Sequence, residues 1–253
     1  MRNVWNSLKK HLPKKEDLRE KNKMKNLVVL TGSGISAESG IKTFRDSGGL
    51  WEGYDIMEVA TPEGWSRDPE LVLDFYNQRR KQALYAQPNE AHLILSELET
   101  YFNVIIITQN VDNLHEKAGS SRIIHLHGEL FKSRSTLDET LEYDIEGWEL
   151  KIGDLCEKGS QLRPNIVWFG ELVPMMEVAV RETLRSDIFL VVGSSLVVYP
   201  AAGLIDYVPD KVPKFIVDPK MPDVIYRPNQ YLIEEKASSG ILKVKDILLE
   251  KYI

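Results

Sequence analysis

A single cysteine, Cys156, stands in this chain of 253 residues. One thiol forms no intrachain disulfide and builds no thiolate-rich metal centre, and it suits a reducing compartment. Long apolar runs are also missing, and the N-terminus lacks the apolar core and cleavage site of a secretory signal. The expectation is a cytoplasmic protein without membrane contact. An overall basic charge is absent as well: the formal net charge is −6, which argues against nucleic acid as the main partner. Basic residues do crowd the first segment, where Arg2 to Lys25 opposes Lys and Arg only with Glu16, Asp17 and Glu20. Such a leader suits an anionic surface, but a solvated extension over residues 1–23 explains it better. The remaining 24–253 then form one large domain.

Apolar runs at Leu27–Leu30, Asn103–Thr108, Ile123–His127, Ile188–Val192, Lys214–Val217 and Tyr231–Ile233 read as strands. Val104-Ile105-Ile106-Ile107 is apolar on both faces, as in a parallel strand covered on both sides. Helices are expected at Asp68–Gln82, Asn89–Tyr101 and Ile241–Lys251. This alternation predicts an α/β fold with a doubly wound, mostly parallel, Rossmann-like sheet. Residues 130–163 interrupt it as a small inserted module, with Tyr143, Trp148, Leu150, Ile152 and Leu155 as its expected core. The apolar edge from Pro164 to Glu171 follows, either a plain connector or a place for an extended peptide to add as a strand.

The first strand empties into Gly32-Ser33-Gly34-Ile35-Ser36-Ala37, glycine spacing that lets backbone approach a pyrophosphate at a helix N-terminus. A dehydrogenase would continue to a second strand ending in an acid roughly 20 residues on. Gly48 to Tyr54 occupies that place and has no strand character. Other expected strands end in Gln109-Asn110-Val111-Asp112, His127-Gly128, Gly193-Ser194-Ser195 and Asp218, so several segments converge at the carboxyl edge of the sheet, where open α/β folds bind ligands.

These segments, with Thr43-Phe44-Arg45-Asp46, Gly49-Leu50-Trp51, Asn113-Leu114-His115, His125-Leu126-His127-Gly128, Arg163-Pro164 and Val167-Trp168-Phe169-Gly170-Glu171, resemble the sirtuins, NAD-dependent protein lysine deacylases. The likeness runs from about Leu27 to Ala237. It implies NAD as cofactor and acylated protein lysines as substrates. Gly32–Ala37, Ser194 and Ser195 would hold the pyrophosphate, with Gly193 in the same turn. Thr43, Phe44 and Arg45 would lie on a closing loop; Gln109, Asn110 and Asp112 would sit at the nicotinamide ribose, and Asp218 and Ala237 near the adenosine. His127 would be the general base, freeing a ribose hydroxyl to take the acyl group and yield nicotinamide, free lysine and O-acyl-ADP-ribose. Strand alternation alone puts His125 and His127 on one face and does not choose between them; the resemblance chooses His127. The bland alternative for Asp112 is a helix N-cap, and His92 and His115 read as hydrogen-bonded core residues.

Two departures stand out. Sirtuins carry four zinc-binding cysteines in the module, and here only Cys156 remains, so no metal is expected. Asp218 stands where many sirtuins have Asn. Tyr76 and Arg79, one helical turn apart, resemble the Tyr-x-x-Arg pattern of class III sirtuins, which remove succinyl and malonyl as well as acetyl groups. Arg80 beside them reads as a solvated residue. Val167, Trp168, Phe169 and Gly170 would hold the substrate backbone. A mono-ADP-ribosyltransferase or NAD glycohydrolase using the same pocket is the rival reading, and a non-catalytic ADP-ribose-binding module a third. Nothing in the sequence speaks to oligomeric state.

Overall fold

A computed structural model describes residues 24–42, 50–51, 53–225 and 229–253. The expectations for residues 1–23 and for Thr43, Phe44 and Arg45 lie outside them. A short antiparallel hairpin, β2 (Leu50–Trp51) and β3 (Tyr54–Asp55), lies in the stretch where no strand was expected. Six strands form the main sheet: β1 (Asn26–Thr31), β4 (Asn103–Thr108), β5 (Ile123–His125), β9 (Ile188–Val192), β10 (Lys214–Val217) and β11 (Gln230–Ile233). Their order is β11-β10-β9-β1-β4-β5, and every pairing is parallel. The chain leaves β1 toward β4 and β5, then returns to β9 on the other side. The strand order therefore reverses between β1 and β9, and a crevice opens there.

Both faces of this sheet are covered, which is why its strands are apolar at consecutive positions. Leu27 and Val29 pack with Ala91 and Leu95 of helix α4 (Glu90–Glu97) and with Ile241 and Val244 of α7 (Ala237–Tyr252). Val28 and Leu30 face the opposite layer, with Ala179 of α6 (Met176–Leu184) and Leu204. The short helices α1 (Ile56–Val59) and α2 (Pro62–Arg67) lead into α3 (Pro69–Tyr85), which starts on an Asp68 side chain accepting from the Leu71 N–H and on Pro69 at its first position. Helix α3 thus runs beyond the expected Gln82. Helix α4 ends earlier than expected, since residues Leu98–Thr100 tighten into a 3-10 turn.

The inserted module is an antiparallel sheet of β6 (Gly128–Ser135), β7 (Glu142–Asp144) and β8 (Leu162–Ile166), in the order β7-β6-β8. Strand β5 ends at His125, two residues short of the expected His127, because the chain bends at Leu126-His127 to enter β6. Gly128 makes this bend with φ +84, and a Cβ there would stand 2.0 Å from the Asn165 carbonyl oxygen. The module's core differs from expectation. Leu150, Cys156 and Leu162 are buried together with Leu73 of α3, whereas Ile152 and Leu155 are 49% and 54% exposed. Leu155 bridges Gln161 in a short antiparallel contact, and alternation turns its neighbour Cys156 inward instead.

Arg80 is likewise not a solvated residue. It is fully buried, donating from Nε to the Leu130 carbonyl (2.7 Å) and from Nη1 to Asn77 Oδ1 (2.7 Å) and the Trp148 carbonyl (2.6 Å). Burial lowers its pKa to about 10, still a cation near neutral pH. It pins the module to α3.

Candidate active site

At the reversal between β1 and β9, two glycine turns pack backbone against backbone. A Cβ on Gly34 would stand 2.6 Å from Gly193 Cα, and Gly193 itself has φ +60. The Gly32 and Gly34 N–H groups donate to the carbonyls of Val192 and Gly193, and Ile35 and Ser36 donate to Gly32 and Ser33. The helix expected directly after this turn is corrected: two short 3-10 turns, Ser33–Ile35 and Ala37–Ser39, follow β1. Their glycines serve close packing of the crevice floor. Ile35 is also corrected as a lining residue. Its side chain is buried in the core with Ala91 and Leu95, and its carbonyl accepts from Asn89 Nδ2 (2.7 Å).

A cavity of about 810 Å³ opens above this floor. Gly32, Ser33, Gly34, Ser36, Ala37, Gln109, Asn110, Asp112, His127, Gly193, Ser194, Ser195, Asp218 and Ala237 all line it, as do Tyr76, Arg79, Val167, Trp168, Phe169 and Gly170. Glu38, Lys42, Gln82, Lys220 and Lys236 line it too and were not foreseen. Lys220 and Lys236 lie within two residues of Asp218 and Ala237, so adjacency to the motif residues was the available signal.

Asn110 and Asp112 follow β4 and are tied to the first turn. The Asn110 N–H donates to Thr108 Oγ1 (3.0 Å), and its Nδ2 donates to the Gly32 carbonyl (3.2 Å) and to Ser36 Oγ (3.1 Å). Ser36 Oγ in turn donates to Asp112 Oδ2 (3.0 Å). The other carboxylate oxygen accepts from the N–H of Leu114 (3.1 Å), the first residue of α5 (Leu114–Lys117), whose N-cap position is Asn113 rather than Asp112. Burial pushes the Asp112 carboxyl up, against these two hydrogen bonds. Thr108 Oγ1 also accepts from Thr31 Oγ1 (2.8 Å), which accepts from His115 Nε2 (3.1 Å). His92 and His115 are buried, with ring centroids 4.9 Å apart.

His125 and His127 part company at the bend. His125 Nε2 pairs with Glu116 (2.6 Å), and although burial opposes its charge, that carboxylate raises its pKa. His127 Nδ1 lies 3.0 Å from the Gln109 carbonyl oxygen. A carbonyl only accepts, so Nδ1 carries the proton and Nε2 keeps its lone pair. Burial lowers the His127 pKa, keeping the ring neutral near physiological pH. A neutral imidazole lining the crevice is a competent proton acceptor.

At the far end of the cavity, Tyr76 is fully buried and Arg79 lines the same wall. Burial raises the Tyr76 pKa to about 12, so its phenol stays protonated. Trp168 Nε1 donates to Tyr76 Oη (3.0 Å). The segment Val167–Gly170 continues from β8, whose outer side is the open edge of the small sheet. Glu171 fastens it by accepting from the Trp168 N–H (2.8 Å) and from both ends of the Arg163 guanidinium (2.7 and 3.1 Å).

The module's donors do not fit a tetrahedral zinc. Cys156 has Ser135 Oγ at 3.4 Å and Ser160 Oγ at 3.2 Å, and hydroxyls do not replace thiolates in such centres. Among the described residues, the one cluster of His, Cys, Asp and Glu close enough to share an ion is Glu116, His125 and Glu129, away from Cys156. Its members are already paired, Glu116 with His125 and Glu129 with Lys132 (2.7 Å). For NAD the fit is good: hydroxyls, amides and a carboxylate at strand ends surround a cavity of suitable size.

Fold and crevice together define a nucleotide-binding class of α/β protein, with glycine turns and an imidazole lining the crevice. The Sir2 family matches residues 32–200. An NAD-dependent protein deacylase of Bacteroides thetaiotaomicron is 54% identical over 231 residues, 89% of this chain and 99% of that one. One from Helicobacter pylori is 52% identical over 227 residues, covering 90% and 97%. A crystal structure of a Sir2 homologue in complex with NAD superposes with a TM-score of 0.80 at 38% identity, over 94% of this chain and 95% of its own. The chain belongs to the Sir2 family.

Proposed function

We infer that this chain is an NAD-dependent protein lysine deacylase in which His127 is the general base, and we propose that it favours acidic acyl groups. The enzyme class follows from membership of the family, together with relatives of the same activity that match over nearly their whole length. Bound NAD would supply an activated ribose carbon for the acyl oxygen as nicotinamide leaves and a ribose hydroxyl for the acyl group, so that with water the products are nicotinamide, free lysine and O-acyl-ADP-ribose. Ser33, Ser194 and Ser195 would hold its phosphates, with Ser36 bracing the turn beneath them, and Asp218 would accept from ribose hydroxyls. Asn110 and Asp112 orient the nicotinamide end, braced by Ser36. His127 Nε2 removes the proton of a ribose hydroxyl. The observation that carries this role is the Nδ1–H to Gln109 hydrogen bond, which leaves the basic nitrogen free on a ring that lines the nucleotide cavity.

The substrates are proteins. The finer reading is an extended acyl-lysine peptide that adds along the Val167–Gly170 edge, with its acyl group directed to Tyr76 and Arg79. A succinyl or malonyl carboxylate would meet a guanidinium and a phenol there, and acetyl-lysine would also enter. No helix among the described residues is long and apolar enough to cross a membrane. Incubating the protein with NAD and succinyl, malonyl and acetyl versions of one peptide tests the whole scheme. O-acyl-ADP-ribose should form, fastest with the acidic acyl groups. Free ADP-ribose or ADP-ribosylated protein without deacylation would favour the glycohydrolase or transferase reading instead.

A further inference from the structure

Tyr76 poses a problem of hydrogen-bond accounting. Its side chain is wholly buried, and its hydroxyl meets one partner, Trp168 Nε1 at 3.0 Å. An indole N–H only donates, so the phenol oxygen accepts and its own proton must point elsewhere. Among the described residues no acceptor takes that proton, and a buried polar group left unmatched calls for an explanation. The cavity supplies one, because Tyr76 and Arg79 both line it. A phenol donor beside a guanidinium asks for a ligand that only accepts, through two oxygens and with negative charge.

Trp168 is held so that this arrangement persists. The Arg163 guanidinium lies over the indole ring with 3.3 Å from its carbon to the centroid. Arg163 itself is fixed by Glu171 (2.7 and 3.1 Å) and by the Ile166 carbonyl (2.9 Å). Glu171 also accepts from the Trp168 backbone N–H (2.8 Å), and the Trp65 ring packs beside the indole at 5.8 Å between centroids. The indole is therefore clamped, with its N–H directed at the phenol.

We propose that Trp168 is a specificity-positioning residue: by occupying the Tyr76 oxygen with a donor, it forces the Tyr76 hydroxyl to donate into the acyl pocket, and so selects acyl groups ending in a carboxylate. Without the indole N–H, the phenol could turn its proton away from the pocket. This assignment rests on the acidic-acyl reading of the same pocket.

The test compares kcat/KM for succinyl and acetyl forms of one peptide at saturating NAD. Losses common to both substrates cancel in the succinyl-to-acetyl ratio. Trp168→Phe keeps an aromatic ring and removes the N–H; Trp168→β-(3-benzothienyl)alanine removes the N–H without changing the ring's shape, which guards against a folding defect in the first variant. Both should lower the ratio about tenfold, the order expected for one hydrogen bond to a charged group. The change should reside in the KM of the succinyl peptide rather than in kcat. Tyr76→Phe should lower the ratio similarly, and adding Trp168→Phe to it should lower it no further, because the two residues act through one hydroxyl. A ratio unchanged in the benzothienyl variant, or effects that multiply in the double variant, would overturn the assignment while leaving the acyl reading in place. A wild-type enzyme with no preference for the succinyl peptide would overturn both.

Discussion

Among single side chains, His127 carries the sharpest expectation. The floor contacts of Gly32, Gly34 and Gly193 do not involve its side chain, so replacing it removes the base and leaves those turns in place. His127→Ala should lower deacylation by about 10²–10⁴, while NAD binding, followed by calorimetry, stays within a few-fold. Near-wild-type turnover in that variant would exclude the role. The base works only when neutral, and burial has moved its pKa below 6.5. Activity should therefore hold as pH falls to that value and decline only below it; a midpoint above 6.5 in kcat/KM for the free enzyme would contradict this environment. Arg79 tests a different property. Arg79→Met should cost on the order of 10- to 150-fold on a succinyl peptide, the equivalent of about 1.5–3 kcal/mol, and much less on the acetyl peptide, which brings no carboxylate. Equal losses on both would make Arg79 a packing residue.

Among the elements, α4 and α5 store an acid sensitivity. His92 of α4 is fully buried with its Nδ1 accepting from the Asn89 N–H (3.3 Å), and burial lowers its pKa from 6.5 to about 4. Burial lowers that of His115 as well, helped by its neighbours His92 and His125. A group with a depressed pKa binds its proton more readily in the unfolded chain, so folding stability rises with pH across the interval. The loss should begin as pH falls below 6.5 and be complete for His92 near 4, on the order of 3 kcal/mol for that residue. Urea midpoints measured across this range should show a steeper fall in wild type than in His92→Gln, where only His115 of the pair still titrates. Parallel curves would show that His92 keeps its ordinary pKa in the fold. The consequence reaches the site, because His115 donates to Thr31, Thr31 to Thr108, and Thr108 accepts from the Asn110 N–H.

The molecule as a whole is a nucleotide sheet with a small module bolted to α3. The module has Leu150, Cys156 and Leu162 packed on Leu73, and Arg80 bonded to Leu130, Asn77 and Trp148. Chelators should thus leave its thermal unfolding midpoint unmoved, and a fall of several degrees with EDTA would mean that an ion holds it. Removing the Arg80 contacts should be more harmful. Arg80→Met strands the carbonyls of Leu130 and Trp148, and the loss of a buried charged donor costs about 3 kcal/mol or more, measurable by denaturant unfolding.

The main sheet was readable in the chain because its strands are apolar at successive positions and each ends in polar residues. Local composition dictates both, and so the carboxyl-edge location of Gly32, Asn110, Gly193 and Asp218 followed without coordinates. Glycine spacing likewise announced the turn after β1. Its use did not follow, since the Gly34 and Gly193 contact joins residues far apart in sequence, and only their packing shows that these glycines serve backbone contact. The module resisted for a related reason: with short strands and weak alternation, burial there depends on Leu73 and Arg80 from α3, which no local pattern connects to Leu150 or Trp148. Arg80 and Arg79 are neighbours of one chemistry, yet one bonds three partners in the interior and the other faces the cavity. The rotation of α3 against β6 decides which is which, and that rotation is set by contacts across the fold rather than by either residue.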